Sequence, residues 1–181
     1  MQDASPGTWI FGYGSLIYKV DFPYLEAGVA SIEGWQRRFW QGSHDHRGTP
    51  EAPGRVVTLL PADKAICRGI AYRVEPEVFE HLDHREKNGY QRCSVTIHLE
   101  EAGRRVNGEV YVADENNPAF LGPAPLEQLA GHIAASHGPS GSNREYLLQL
   151  AAALRDLGEA DAHVQALESL LISTGSSGSG L

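Results

Sequence analysis

Cysteine is almost missing from this chain: there are two, Cys67 and Cys93, far apart, with no C-x-x-C pair and no further cysteines to form a framework. A disulfide-stapled fold is excluded on that count, and two reduced thiols in a cytoplasmic protein are expected. Positive charge is also scarce, with 15 Lys and Arg against 23 Asp and Glu and a formal net charge of -8. No basic stripe interleaves with aromatic residues, so neither nucleic acid nor an anionic membrane is an expected partner. No apolar run approaches the ~20 residues that span a bilayer. The opening residues Met1-Gln2-Asp3-Ala4-Ser5-Pro6 have neither the basic start nor the apolar core of a secretory signal. Metal ligands at recognisable spacing are lacking too: His44 and His46 flank Asp45, but no third and fourth ligand accompany them. No metal and no cofactor are expected. The partner left by these exclusions is a small soluble substrate, and a monomer is expected.

What is present suits one well-buried core, since 181 residues at 41% hydrophobic composition are too few for two independent domains. The expected domain runs over 8–172, and the Ser/Gly-rich residues 173–181 read as a flexible tail. Trp9-Ile10-Phe11 reads as a short buried strand running into glycines. Val29 to Gln41, Val56 to Leu60 and Cys67 to Val74 read as further strands separated by turns. Pro76 can open a helix carrying Val78, Phe79 and Leu82 on one face, with Asn88-Gly89 as its left-handed stop. The alternation of Cys93, Val95, Ile97 and Leu99, resumed by Val106, Val110 and Val112, predicts a hairpin. From Leu126 the period becomes helical. Ser142 with Glu145 three residues later forms a capping box for a second helix, and Val164, Leu167 and Leu170 mark a third between Asp161 and Leu171. Strands first and helices later argue for an α+β domain.

Two short runs can carry chemistry. In Phe11-Gly12-Tyr13-Gly14-Ser15-Leu16 successive backbone N–H groups can converge on a carboxylate or a developing oxyanion, because two glycines permit backbone angles that bulkier residues resist. A plain turn is the alternative. The run is no dinucleotide fingerprint, for the third glycine and the helix are missing. Ser15 sits in no G-x-S-x-G elbow, so a donor or loop role suits it better than a nucleophilic one. In Arg85-Glu86-Lys87-Asn88-Gly89-Tyr90, Glu86 falls in the last turn of a helix, at the negative end of its dipole. That position and any burial near Tyr90 would raise its pKa toward that of a useful general base; the alternative is a solvated glutamate among other charges. Arg37, Arg38, Arg47 and Arg55 can meet a substrate carboxylate or serve the structure. The phenols of Tyr13, Tyr90 and Tyr146 can face a pocket or bond to backbone. A carboxylate base beside a backbone cradle, without triad or metal, suits a small zwitterion that carries its own nucleophile, an amine cyclising onto a carbonyl.

Taken in order, FGYGSLIY, GWQRRFWQGSHDHRGTPEAPGRVVTL, LDHREKNGY and GPSGSNREYL resemble segments of the γ-glutamylcyclotransferase superfamily, and more closely its ChaC-type, glutathione-specific branch. The likeness extends from about Trp9 to Leu171. Tyr18 stands where that branch often has Trp, and Asn88 where the family often has Gly; Asn tolerates the left-handed conformation. The resemblance implies a small mixed β-barrel flanked by helices, with C-terminal helices and a pocket at one barrel mouth. It further implies that Glu86 is the catalytic acid and base, that Tyr13, Gly14, Ser15 and Leu16 cradle a γ-glutamyl group, and that Tyr146 helps line the pocket. The implied reaction cleaves glutathione into 5-oxoproline and Cys-Gly. Other γ-glutamyl dipeptides or amines as substrates, or a non-catalytic γ-glutamyl-binding regulator, are the alternatives.

Overall fold

The structure, a computed structural model, describes residues 8–86 and 89–178. Five strands close a barrel in the order β1-β3-β2-β4-β5: β1 Thr8–Gly12, β2 Glu26–Ser43, β3 Gly54–Val74, β4 Gln91–Leu99 and β5 Arg104–Val112. β1 runs antiparallel to β3, with Phe11 opposite Ala71, and parallel to β5, with Ile10 opposite Glu109. That parallel pair makes the barrel mixed. Helix α1 spans Glu77–Arg85, and the later helices are α2 Leu126–Ala135, α3 Asn143–Leu157 and α4 Ala162–Gly178. A two-residue ribbon, β6 His137–Gly138 with β7 Gly141–Ser142, separates α2 from α3.

The chain divides into two compact units. The first comprises the residues up to Gln36 together with Leu60–Ala113, and the second Arg37–Leu59 together with the chain from Asp114. In the first, the predicted hairpin forms with Val95 opposite Gly108 and Ile97 opposite Val106. Gly103 takes a φ of 63° in its turn, as a residue without Cβ can. The core here gathers Ile10, Phe22, Tyr72, Val74, Val78, Phe79, Leu82 and Tyr111. The apolar face of α1 is thereby laid on strands β1, β3 and β5.

In the second unit the apolar faces of the three later helices meet through Leu129, Ile133, Leu147, Leu150, Leu154, Val164 and Leu167, all buried. The capping box forms: the Ser142 Oγ accepts from the Glu145 N–H at 3.0 Å. Arg37, 2% exposed, donates to the Asp161 carboxylate at 2.7 Å. A guanidinium this deep needs such a partner, because an unpaired buried charge is costly.

Three local readings change. The strands expected at Val56–Leu60 and Cys67–Val74 are one strand, β3. Pro61 suggested a turn, but it lies exposed on extended backbone, where a missing N–H is tolerated. Lys64, at φ 64°, bends the strand without ending it, much as a β-bulge does. In α4 the buried position is Leu171 rather than Leu170, so the inward stripe runs 164, 167, 171. Helix α1 closes at Arg85, and Glu86 is its C-cap. Gly89 takes a φ of 104°, whereas Asn88 lies outside the described residues.

Candidate active site

β1 ends at Gly12, and the chain enters a 3₁₀ turn over Ser15–Ile17. The turn closes through the Ile17 N–H on the Gly14 carbonyl at 2.9 Å and the Lys19 N–H on the Ser15 carbonyl at 2.7 Å. The N–H groups of Ser15 and Leu16 precede the first of these bonds, as donors do at the start of any helical turn. Neither Gly12 nor Gly14 adopts a positive φ. At Gly12 the need for glycine is one of space: a Cβ there would sit 2.8 Å from the Cβ of Leu16. Gly69 on the neighbouring strand is more confined still, since its Cβ would lie 2.1 Å from the Gly12 carbonyl oxygen. The two glycines let β1 and β3 approach where the loop begins.

Two phenols fasten the loop at its ends. Tyr13, buried, donates to the Tyr111 carbonyl at 2.6 Å, and Tyr72 donates to the Leu16 carbonyl at 2.6 Å. Burial, with Tyr24 adding to it, pushes the Tyr72 phenol up to about 12, so it remains a donor through the neutral range. Sequence spacing carried no sign of Tyr72 or Tyr111. They come from strands far along the chain, and only the barrel register brings them to the loop.

Glu86 sits at the C-terminal end of α1, its N–H on the Leu82 carbonyl at 2.8 Å and its carbonyl accepting from the Tyr90 N–H at 3.2 Å. Its side chain is 22% exposed, more sheltered than a solvated surface glutamate, and the Arg85 Nε lies 3.8 Å from its carboxylate. Arg85 in turn holds Asp21 at 2.6 Å. Leu16, from the loop, and Tyr90, four residues past Glu86, both pack on the hydrophobic cluster described above. One core therefore carries both the loop and the carboxylate.

Tyr13, Gly14, Ser15, Leu16 and Glu86 thus belong to the first unit, and Tyr146 to the second. Tyr146 is buried on α3 with its ring edge-on to Phe39 at 5.8 Å, beneath the Arg47 guanidinium at 5.7 Å. Its hydroxyl accepts from the Val57 N–H at 3.3 Å. The candidate arginines are engaged by the fold. Arg47 reaches the Ser142 carbonyl and Glu145, while Arg55 donates to the carbonyls of Phe39 and Gly122. The His44 to His46 loop is tied to the β6-β7 ribbon, with the His46 ring 3.1 Å from the Ser140 hydroxyl. Among the described residues no three His, Cys, Asp or Glu side chains converge as metal ligands, and no helix is long and apolar enough to cross a membrane.

A family model described as ChaC-like protein matches residues 8–173. γ-Glutamylcyclotransferase 2-3 of Arabidopsis thaliana is 44% identical over 86% of this chain and 84% of its own length. The glutathione-specific γ-glutamylcyclotransferase of Saccharomyces cerevisiae is 38% identical over 87% of this chain and 89% of its own length. A crystal structure of the yeast γ-glutamylcyclotransferase specific to glutathione superposes with a TM-score of 0.86 at 36% identity, covering 93% of this chain and 97% of the other.

Proposed function

The chain belongs to the ChaC-like family, and on that premise we propose that it is a γ-glutamylcyclotransferase that cleaves glutathione into 5-oxoproline and Cys-Gly. The observation that carries this reading is the similarity of 92% and 87% of the chain to two curated enzymes of that name, beside a family match over residues 8–173. The domain responsible is taken as 8–172.

In the reaction the α-amine of the γ-glutamyl group attacks its own γ-amide carbonyl. A C–N bond forms, a five-membered lactam closes, and the amide bond to the cysteine nitrogen breaks. Attacker and target share one molecule, so the protein needs to fold the substrate, move a proton and stabilise an oxyanion. Glu86 takes the proton from the α-ammonium, which makes the amine nucleophilic, and delivers it to the departing nitrogen as the tetrahedral intermediate collapses. The Tyr13 to Leu16 loop offers its backbone N–H groups to the γ-glutamyl unit. The sheltered position of the Glu86 carboxylate and its common support with the loop favour these roles.

The test is release of 5-oxoproline from glutathione by wild type and Glu86→Gln, beside a panel of γ-glutamyl dipeptides. Turnover of glutathione by wild type, with a loss of 1,000-fold or more (on the order of the general-base contribution) in the variant, is expected. Full activity of Glu86→Gln would remove the assigned base. The Arabidopsis relative carries no glutathione-specific designation in its name, which gives other γ-glutamyl substrates a place as the second reading. Turnover of dipeptides but not glutathione would select it.

A further inference from the structure

Tyr111 occupies the next-to-last position of β5 and is 5% exposed, in a cluster where a phenylalanine ring would pack as well. A buried hydroxyl carries a penalty unless it is bonded, so its presence calls for a reason besides packing. Its carbonyl accepts from Tyr13 at 2.6 Å, and its hydroxyl donates to the Asp83 carboxylate at 2.6 Å. Asp83 stands three residues before Glu86, and the helical hydrogen bond from the Glu86 N–H to Leu82 carries the α1 pitch through Glu86. Residues so spaced share one helix face. Opposite Tyr111 across the β4-β5 ladder, Arg92 approaches the other oxygen of the same carboxylate at 3.5 Å. One residue is thus bonded at once to the loop and to the face of the helix that presents Glu86.

We propose that Tyr111, clamped by its hydroxyl to Asp83, is a positioning residue that holds the Tyr13 loop and the Glu86 carboxylate in one frame. The inference rests on the function proposed above and adds two residues to it, neither of which touches the reacting atoms. Burial, together with the Asp83 bond and charge, raises the Tyr111 phenol well above its ordinary range, so the clamp stays closed throughout the neutral range; the Glu86 charge acts in the same direction. Misplacing a reacting group by about 1 Å can cost ~100-fold in rate, which is the scale on which loss of the clamp acts.

The experiment measures kcat and KM for glutathione in Tyr111→Phe, Asp83→Ala, Asp83→Asn and the Tyr111→Phe/Asp83→Ala double variant, alongside Glu86→Gln, with thermal melts to show that each protein is folded. The Asp83 side chain is 47% exposed, so Asp83→Ala should fold even if Tyr111→Phe does not. Tyr111→Phe and Asp83→Ala should each lower kcat by about 10-fold or more with KM moved far less, and the double variant should lose no more than either alone. Asp83→Asn keeps an acceptor and should recover most of the rate. Wild-type kcat in folded Tyr111→Phe or Asp83→Ala, or losses that multiply in the double variant, would overturn the clamp while an inactive Glu86→Gln leaves the function standing. An active Glu86→Gln would remove both.

Discussion

Lowering the pH should weaken this protein through one histidine on α4. His163 accepts the Phe39 N–H on its Nε2 at 3.1 Å and stacks against the Phe39 ring at 6.0 Å. Accepting at Nε2 requires the neutral ring with its proton on Nδ1. Burial, with the Arg38 charge adding to it and Asp161 opposing, pulls its pKa from 6.5 to about 4. The folded value lies below the unfolded one, so protons bind preferentially to the unfolded chain. The contribution is therefore present above pH 6.5 and drains away as the pH falls toward about 4. At about 1.4 kcal/mol for each pH unit between the two values, the whole contribution is about 3 kcal/mol, of which about 2 kcal/mol is lost between ~pH 7 and ~pH 5. Urea unfolding of wild type and His163→Gln at those two pH values isolates the effect, because glutamine can still accept the Phe39 N–H and does not titrate. Wild type should lose about 2 kcal/mol more than the variant on acidification. Equal losses in the two proteins would refute the reasoning.

Gly14→Val should impair glutathione turnover by blocking approach of substrate to the loop backbone; unchanged KM and kcat would argue against a cradle there. The glycines of the described strands and helices should respond in opposite directions. Gly69→Ala drives a Cβ to 2.1 Å from the Gly12 carbonyl and should cost about 3 kcal/mol in urea unfolding, with activity falling as the base of the loop shifts. Gly131→Ala, in the middle of α2 with nothing within 4 Å of its Cβ, should stabilise by about 1 kcal/mol and leave turnover unchanged. Melting temperatures that move together in these two variants would contradict the packing described at Gly69.

Periodicity and caps were legible from the chain alone. The alternation on either side of Gly103 and the Ser142 capping box reflect interactions within a few residues, and both form at their expected places. The limits of that local information appear at Pro61, which lies exposed within strand β3 where a turn was expected. They appear again at Leu171, which replaces Leu170 because helix phase is set by what the helix packs against. The two chemical runs were visible as residue types, but their reason for being glycine at position 12 was not. That reason is the return of the loop onto the strand end, which puts the Leu16 Cβ 2.8 Å from where a Gly12 Cβ would sit.

The two runs read as a cradle and a base, and the order of the elements around them, were legible along the chain because motifs and periods are properties of neighbouring residues. Folding adds that the loop is fastened by Tyr72 and Tyr111, that Tyr111 also grips Asp83, and that the loop and helix α1 share one core. Those contacts join residues 56, 98 and 28 positions apart, and such pairs meet only once barrel closure has set the strand register.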